Sequence, residues 1–73
     1  MPDDRDEHLA WCKRRARYYL ECGELGNALA SMGSDLSKHP DLKGIGEKMM
    51  PLGLLHAMQN DADGMRRWID GFR

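Results

Sequence analysis

Hydrophobic residues recur every three or four positions, the period of a helix, in four segments of this 73-residue chain. The first segment predicts a helix from about Asp3 or Asp4 to Cys22, with an apolar or small residue every three or four positions. Its inward stripe is Leu9, Cys12, Ala16 and Tyr19, flanked by Trp11 and Tyr18. Acidic residues at its start suit the positive end of the helix dipole, and Gly23 predicts a left-handed cap that ends it.

The second segment predicts a helix from about Glu24 to Lys38 in a 3.6-residue rhythm. Its apolar positions are Leu25, Ala28, Leu29, Met32 and Leu36. The helix ends before Pro40, because a proline pushes the preceding residue toward extended geometry. The glycines in residues 41–46 then indicate the longest connection of the chain.

The third segment predicts a helix over about residues 45–59 that is apolar on more than one side. Met49, Leu52, Leu55 and His56 form one side, and Met50, Leu54 and Met58 form another. Pro51 removes a helical hydrogen bond, so the helix either begins near Met50 or bends at Pro51.

The last segment predicts a short helix with Asp61 as its N-cap. Its buried stripe is Ala62, Met65, Trp68, Ile69 and Phe72. Isoleucine occurs twice and valine and threonine are absent, so almost no strand signal exists and the predicted class is all-α.

The length fits one small domain over residues 1–73, with a helical hairpin over about 4–40, a connection over 41–46 and a second hairpin over about 47–73.

The charge balance and the composition argue against several classes of function. Eleven Lys and Arg residues nearly balance twelve Asp and Glu residues, which argues against a general attraction to nucleic acid or anionic membrane. The polar, acidic start differs from a signal peptide, and no apolar run reaches a membrane-spanning length. These features predict a cytoplasmic protein with reduced thiols at Cys12 and Cys22, which lie on different faces of one helix.

The first two helices resemble a tetratricopeptide unit, a helical hairpin that stacks into protein-binding arrays. The matching residues are Ala16, Tyr19, Gly23, Leu25, Ala28, Met32 and Pro40. Arg15 and Asp35 depart from the pattern, which has an apolar residue and an alanine there. The second half is a weaker match: it keeps Leu52, Gly53 and Ile69, but has Asn60 for the turn glycine and Met65 for the alanine. Arrays normally need about three repeats, so a second copy could complete the stack.

The chain as a whole also resembles a group of short uncharacterised bacteriophage-encoded proteins, through HLAWCK, SMGSDLSKHP and RRWIDGF. That resemblance implies host cytoplasm as the location and modulation of a host or phage protein as the role. The tetratricopeptide resemblance implies an inner groove lined by Lys13, Arg17 and Leu20 in the first unit. In that family a basic pair at such positions captures a peptide carboxylate; alternatively, the basic run is a solvated helix face.

Methionine and aromatic residues supply the remaining candidate contacts. Met50, Leu54 and Met58 lie off the main inward stripe and would line the groove of the second unit, where flexible methionines suit an adaptable partner surface. Met32, Met49 and Met65 are expected to fill the core instead. Trp11 and Tyr18 are candidate exposed anchors of the kind that dominate protein interfaces. The hypothesis is a non-enzymatic protein-binding module with an unidentified protein partner.

Two alternatives remain open at this stage. The basic run from Lys13 to Arg17, with Arg66 and Arg67, could bind nucleic acid, although the near-neutral charge disfavours it. The apolar surplus could instead close on a second copy as a homodimer. No cofactor, metal site or catalytic group is expected: His8 and Cys12 make only half of a zinc site, and neither phosphate-loop nor nucleophile motifs occur.

Overall fold

The computed structural model describes residues 4–73, which form four helices and no strand, and this confirms the all-α class. The helices are α1 (Asp4–Glu21), α2 (Leu25–Leu36), α3 (Pro40–Met58) and α4 (Ala62–Asp70). The alternative helix start at Asp3 lies outside the described residues. None of these four helices has the length and apolar character needed to cross a membrane.

The four helices form a ring around one core. Each helix packs mainly against its neighbours in the chain, and α4 also packs against α1, so α1 lies diagonally across from α3. The buried core residues are Leu9, Cys12, Ala16, Leu20, Leu25, Ala28, Met32, Leu36, Leu42, Met65, Trp68, Ile69 and Phe72. The stripes of α1, α2 and α4 therefore face inward as predicted, apart from the half-buried Tyr19 and Leu29 and an exposed Ala62.

Gly23 ends α1 as the sequence predicts. Its φ of +79° lies in the left-handed region, which costs glycine little because it has no Cβ. The Gly23 N–H donates to Leu20 O at 2.9 Å, and the Glu24 N–H donates to Tyr19 O at 2.9 Å. These bonds satisfy carbonyls at the end of α1 and turn the chain into α2.

The predicted connection over 41–46 is wrong, because these residues form the start of α3. Pro40 occupies the first turn, where a missing N–H costs nothing and a fixed φ favours the helix. His39 is the extended N-cap, and its Nδ1 accepts the Asp41 N–H at 3.1 Å. The second hairpin thus begins at Pro40, not at 47, and α2 ends at Leu36, before the predicted Lys38.

The inward side of α3 also differs from the prediction. Leu42, Gly46 and Gly53 are the buried positions, whereas Leu52 and Leu55 are about half exposed. A Cβ at Gly53 would lie 2.6 Å from the Trp68 ring, so only a glycine lets α3 approach α4 this closely. The helix continues from Pro40 through Pro51 to Met58, so it does not start near Met50.

Candidate protein-binding surfaces

The outer side of α3 is an exposed apolar surface, which we call the α3 apolar face (Pro51, Leu52, Leu54, Leu55 and Met58). Leu54 is 50% exposed and Met58 is 76% exposed. Within residues 4–73, the other exposed large hydrophobic residue is Tyr18 on α1. The exposed leucines and methionine together offer on the order of 400 Å² of apolar surface, the size at which a patch on a small protein is often functional.

A groove beside this face extends the apolar surface toward α2. It has a volume of about 450 Å³ and is lined by Leu29, Glu47, Met50, Pro51 and Leu54. Met50 is half buried there, while Met58 projects further along the same helix. The structure thus places the predicted contacts Met50, Leu54 and Met58 on one continuous side of α3. Glu47 makes no ion pair with another described residue, so one unpaired carboxylate lies at the edge of the groove.

The predicted basic pair of α1 is bound within the chain. Lys13 Nζ donates to the Asp70 carbonyl oxygen at 3.3 Å, and Arg17 Nε donates to Asp70 Oδ1 at 3.0 Å. A second Arg17 nitrogen contacts the same oxygen. These bonds tie the end of α4 to α1 and help to close the helical ring. Capture of a foreign carboxylate remains a prediction, and such a ligand would have to displace Asp70.

Arg15 is the next basic residue with an internal partner. Its Nε donates to Oδ2 of Asp35 at 2.8 Å, and the Asp35 side chain is almost fully buried. Ser31 Oγ and Lys38 Nζ also donate to this carboxylate, at 3.2 and 3.4 Å. Among the basic residues of 13–17, only Arg14 makes no hydrogen bond or ion pair within the described part of the chain. The positive charge available for nucleic acid is therefore smaller than the sequence indicates.

Trp11 and Tyr18 lie on the outside of α1. They line a shallow cavity of about 390 Å³ together with Arg14, Arg15 and Tyr19. Trp11 is half buried, because the Arg15 guanidinium lies 5.0 Å and Lys38 Nζ 5.3 Å from its ring centroid. Tyr18 is 65% exposed. The two predicted anchors thus share one surface, which lies away from the α3 apolar face.

His8 is hydrogen-bonded to α2, and Cys12 is buried in the core. His8 Nε2 lies 2.6 Å from the Asp35 carbonyl oxygen, and because a carbonyl oxygen can only accept, this nitrogen donates a hydrogen bond to α2. Burial raises the pKa of the Cys12 thiol to about 11, and the nearby Asp35 carboxylate adds to the rise. Cys22 is exposed. Within residues 4–73, no three His, Cys, Asp or Glu side chains converge in a way that could hold a metal ion.

Sequence reasoning missed the role of Asp35 and the partner of Lys13 and Arg17. The available signal was the pair of departures from the tetratricopeptide pattern, since Arg15 and Asp35 carry opposite charges and contact each other. Asp70 gave no comparable signal, because its partner Arg17 lies 53 residues away in the chain. No family model, curated protein or solved structure matches this chain.

Proposed function

We propose that this chain is a non-enzymatic protein-binding module that binds its partner through the α3 apolar face. The observation that carries the proposal is the concentration of exposed leucine and methionine on one side of α3. Residues 49–58 include no Asp, Glu, Lys or Arg, so a partner could cover this face without burying an unpaired charge. Burial of such a surface is favourable, and flexible methionines adapt to the partner's shape.

The occupant that fits best is an amphipathic helix of another protein. The exposed stretch spans about two turns of α3, and residues three or four apart on the partner helix could pack along it. The groove of about 450 Å³ would receive one large apolar side chain of that helix. The unpaired carboxylate of Glu47 at its edge favours a lysine or arginine of the partner beside that side chain.

The test is affinity capture from nuclease-treated bacterial lysate at low and moderate salt, followed by binding measurements with the purified partner. Leu55→Glu should weaken the purified complex about tenfold or more, because it buries a charge at the centre of the contact. Lys43→Glu is the matched control, since this residue is exposed on the same helix but lies outside the apolar face. Equal binding by both variants would refute the proposal.

The alternative function is nucleic-acid binding, and the exposed position of Arg14 favours it. This arginine is exposed beside Trp11 and Tyr18, a combination that can hold phosphate and stack a base. Recovery of nuclease-sensitive material alone, with an affinity that falls steeply with salt and is lost in Arg14→Glu, would favour this alternative. A doubled mass that disappears in Leu55→Glu would instead assign the α3 apolar face to a homodimer.

A further inference from the structure

The outside of α1 carries opposite charges that have no partner within the described chain. We call this surface the α1 outer face (Glu7, Ala10, Trp11, Arg14 and Tyr18). Positions 7, 10, 11, 14 and 18 share one side of a helix because they repeat at three- and four-residue intervals. Glu7 and Arg14 are exposed, and neither makes an ion pair or hydrogen bond with another residue of 4–73. They lie two turns apart, about 10 Å along the axis, which is too far for a direct contact.

The charges on this face are complementary to those of a second α1 that runs in the opposite direction. We propose that α1 packs antiparallel against α1 of a second copy, with the two-fold axis between Ala10 and Trp11. Glu7 of each copy then lies opposite Arg14 of the other, which forms two equivalent ion pairs. Such an arrangement is an isologous interface, in which each contact occurs twice.

The centre of the same face fits a close helix crossing. Ala10 is small and exposed, so it leaves room for the large Trp11 ring of the second copy. The shallow cavity of about 390 Å³ at Trp11, Arg14 and Tyr18 lies where the first turns of the opposite α1 would pass. Aromatic and arginine side chains are the residue types that contribute most to protein interfaces.

The charges favour a second copy as the occupant. A foreign helix would need a basic residue opposite Glu7 and an acidic residue opposite Arg14 at the same two-turn spacing, and this chain already provides both. Two neighbouring basic residues of α1 already have partners within the chain, since Arg15 is paired with Asp35 and Arg17 with Asp70. Reversing one charge of the pair places like charges opposite each other at two sites in the dimer.

Dimerisation through α1 would leave both α3 apolar faces open. Because α1 lies diagonally across the ring from α3, their outer sides point away from each other. The dimer would therefore present two partner sites and bind clustered or two-fold partners with increased avidity. This consequence rests on the proposed function, whereas the dimer itself does not.

The experiment is sedimentation equilibrium with the full chain from about 10 µM to about 1 mM. Glu7→Arg and Arg14→Glu should each weaken dimerisation about tenfold, because each variant replaces two attractive contacts with two repulsive ones. The double variant Glu7→Arg/Arg14→Glu restores the opposite charges and should recover most of the wild-type affinity. Glu21→Arg is the matched control, since Glu21 is exposed on α1 beyond the region of contact and should leave dimerisation unchanged.

Three results would overturn the proposal: a wild-type chain that stays monomeric up to the highest concentration, single variants that dimerise as the wild type does, and a double variant that fails to recover. Circular dichroism of each variant establishes that the helices are intact. Leu55→Glu separates the two proposals, because it should weaken partner binding and leave the α1 dimer unchanged. A dimer lost in Leu55→Glu but kept in Arg14→Glu would place self-association on α3 and refute the α1 interface.

Discussion

Arg15 and Asp35 form an ion pair between α1 and α2, with Nε donating to Oδ2 at 2.8 Å. The Asp35 side chain is only 2% exposed, whereas that of Arg15 is 46% exposed. The carboxylate therefore depends on its three donors, Arg15, Ser31 and Lys38, in place of water. A buried carboxylate that loses a donor keeps its desolvation cost without the compensating bond.

We expect Arg15→Met to lower the free energy of unfolding by about 2 kcal/mol, since it removes the closest donor of a buried carboxylate and Lys38 compensates only in part. Urea denaturation at neutral pH measures the change. Lys43→Met, which removes an exposed charge that has no ion pair, should stay within about 0.5 kcal/mol of the wild type. The double variant Arg15→Leu/Asp35→Ala should be more stable than Arg15→Met, because no buried charge remains. If Arg15→Met had the same free energy of unfolding as the wild type, the Arg15–Asp35 ion pair would not contribute to stability.

Gly53→Ala should destabilise the fold by about 1–2 kcal/mol, because overpacking outweighs the better helix propensity of alanine. The new Cβ would meet the Trp68 ring at 2.6 Å and Leu29 Cδ1 at 2.7 Å. The ring is also held by a hydrogen bond from Trp68 Nε1 to Met49 O at 2.9 Å. A shift in Trp68 emission in a Trp11→Phe background, together with urea denaturation, reports the displacement.

Gly44→Ala is the control for this substitution on the same helix. Among residues 4–73, no atom beyond the adjoining residues and the nearby helix backbone lies within 4 Å of a Cβ at Gly44, so alanine should stabilise the protein by up to about 1 kcal/mol. If both alanine variants stabilised the fold to the same extent, close packing at Gly53 would not limit the approach of α3 and α4.

The two cysteines should differ in reactivity. At about pH 8 a disulfide reagent should modify Cys22 and leave Cys12 unmodified in the folded chain, because the thiolate is the reactive form. Burial and the Asp35 carboxylate hold the pKa of Cys12 at about 11, and its side chain is fully buried. One thiol should therefore react in buffer and two in denaturant, and Cys22→Ser should leave none reactive in buffer.

The same thiol makes stability depend on alkaline pH. The folded state keeps Cys12 protonated, while the unfolded thiol ionises at about pH 8.5 to 9. Its contribution is thus fully present below about pH 8.5 and is lost as the pH rises through about 11, by up to about 3 kcal/mol. Urea denaturation as a function of pH should show a shallower alkaline decline in Cys12→Ala than in Cys22→Ala. Identical slopes would contradict the raised pKa.

Asp61 should make stability depend on acidic pH. Its Oδ1 accepts the Gly64 N–H at 2.9 Å and caps α4. This bond lowers the pKa of the Asp61 carboxyl, and the neighbouring His56 adds to that fall. The contribution of Asp61 to stability is present above about pH 3.9, the ordinary pKa of an aspartate. It is lost as the pH falls through the lower pKa of Asp61 in the folded state.

Asp61→Ala should lower the urea midpoint at neutral pH, because the N–H of Gly64 loses its acceptor. Asp61→Asn keeps an acceptor oxygen, so its midpoint should lie closer to the wild type at neutral pH and change less between about pH 5 and pH 3. If the urea midpoint of Asp61→Asn fell as steeply with decreasing pH as that of the wild type, other carboxyl groups would be responsible for the fall.

Local signals in the sequence were enough to predict four helices and two of their caps. The 3.6-residue period determines which side of α2 and α4 is apolar, and the bonds at Gly23 and Asp61 join residues only three to five positions apart. Such features depend on neighbouring residues alone. For the same reason Trp68 and Phe72 could be assigned to the core before any tertiary contact was known.

Pro40 and α3 required the tertiary structure. A proline that ends one helix can also begin the next, and here the His39 cap decides between the two. Because α3 is apolar on more than one side, periodicity alone could not select its buried side. Close packing at Gly53 against Trp68 turns Leu52 and Leu55 outward and creates the α3 apolar face. The partners of Arg15 and Arg17 lie 20 and 53 residues away, so only the closed ring of helices brings those charges together.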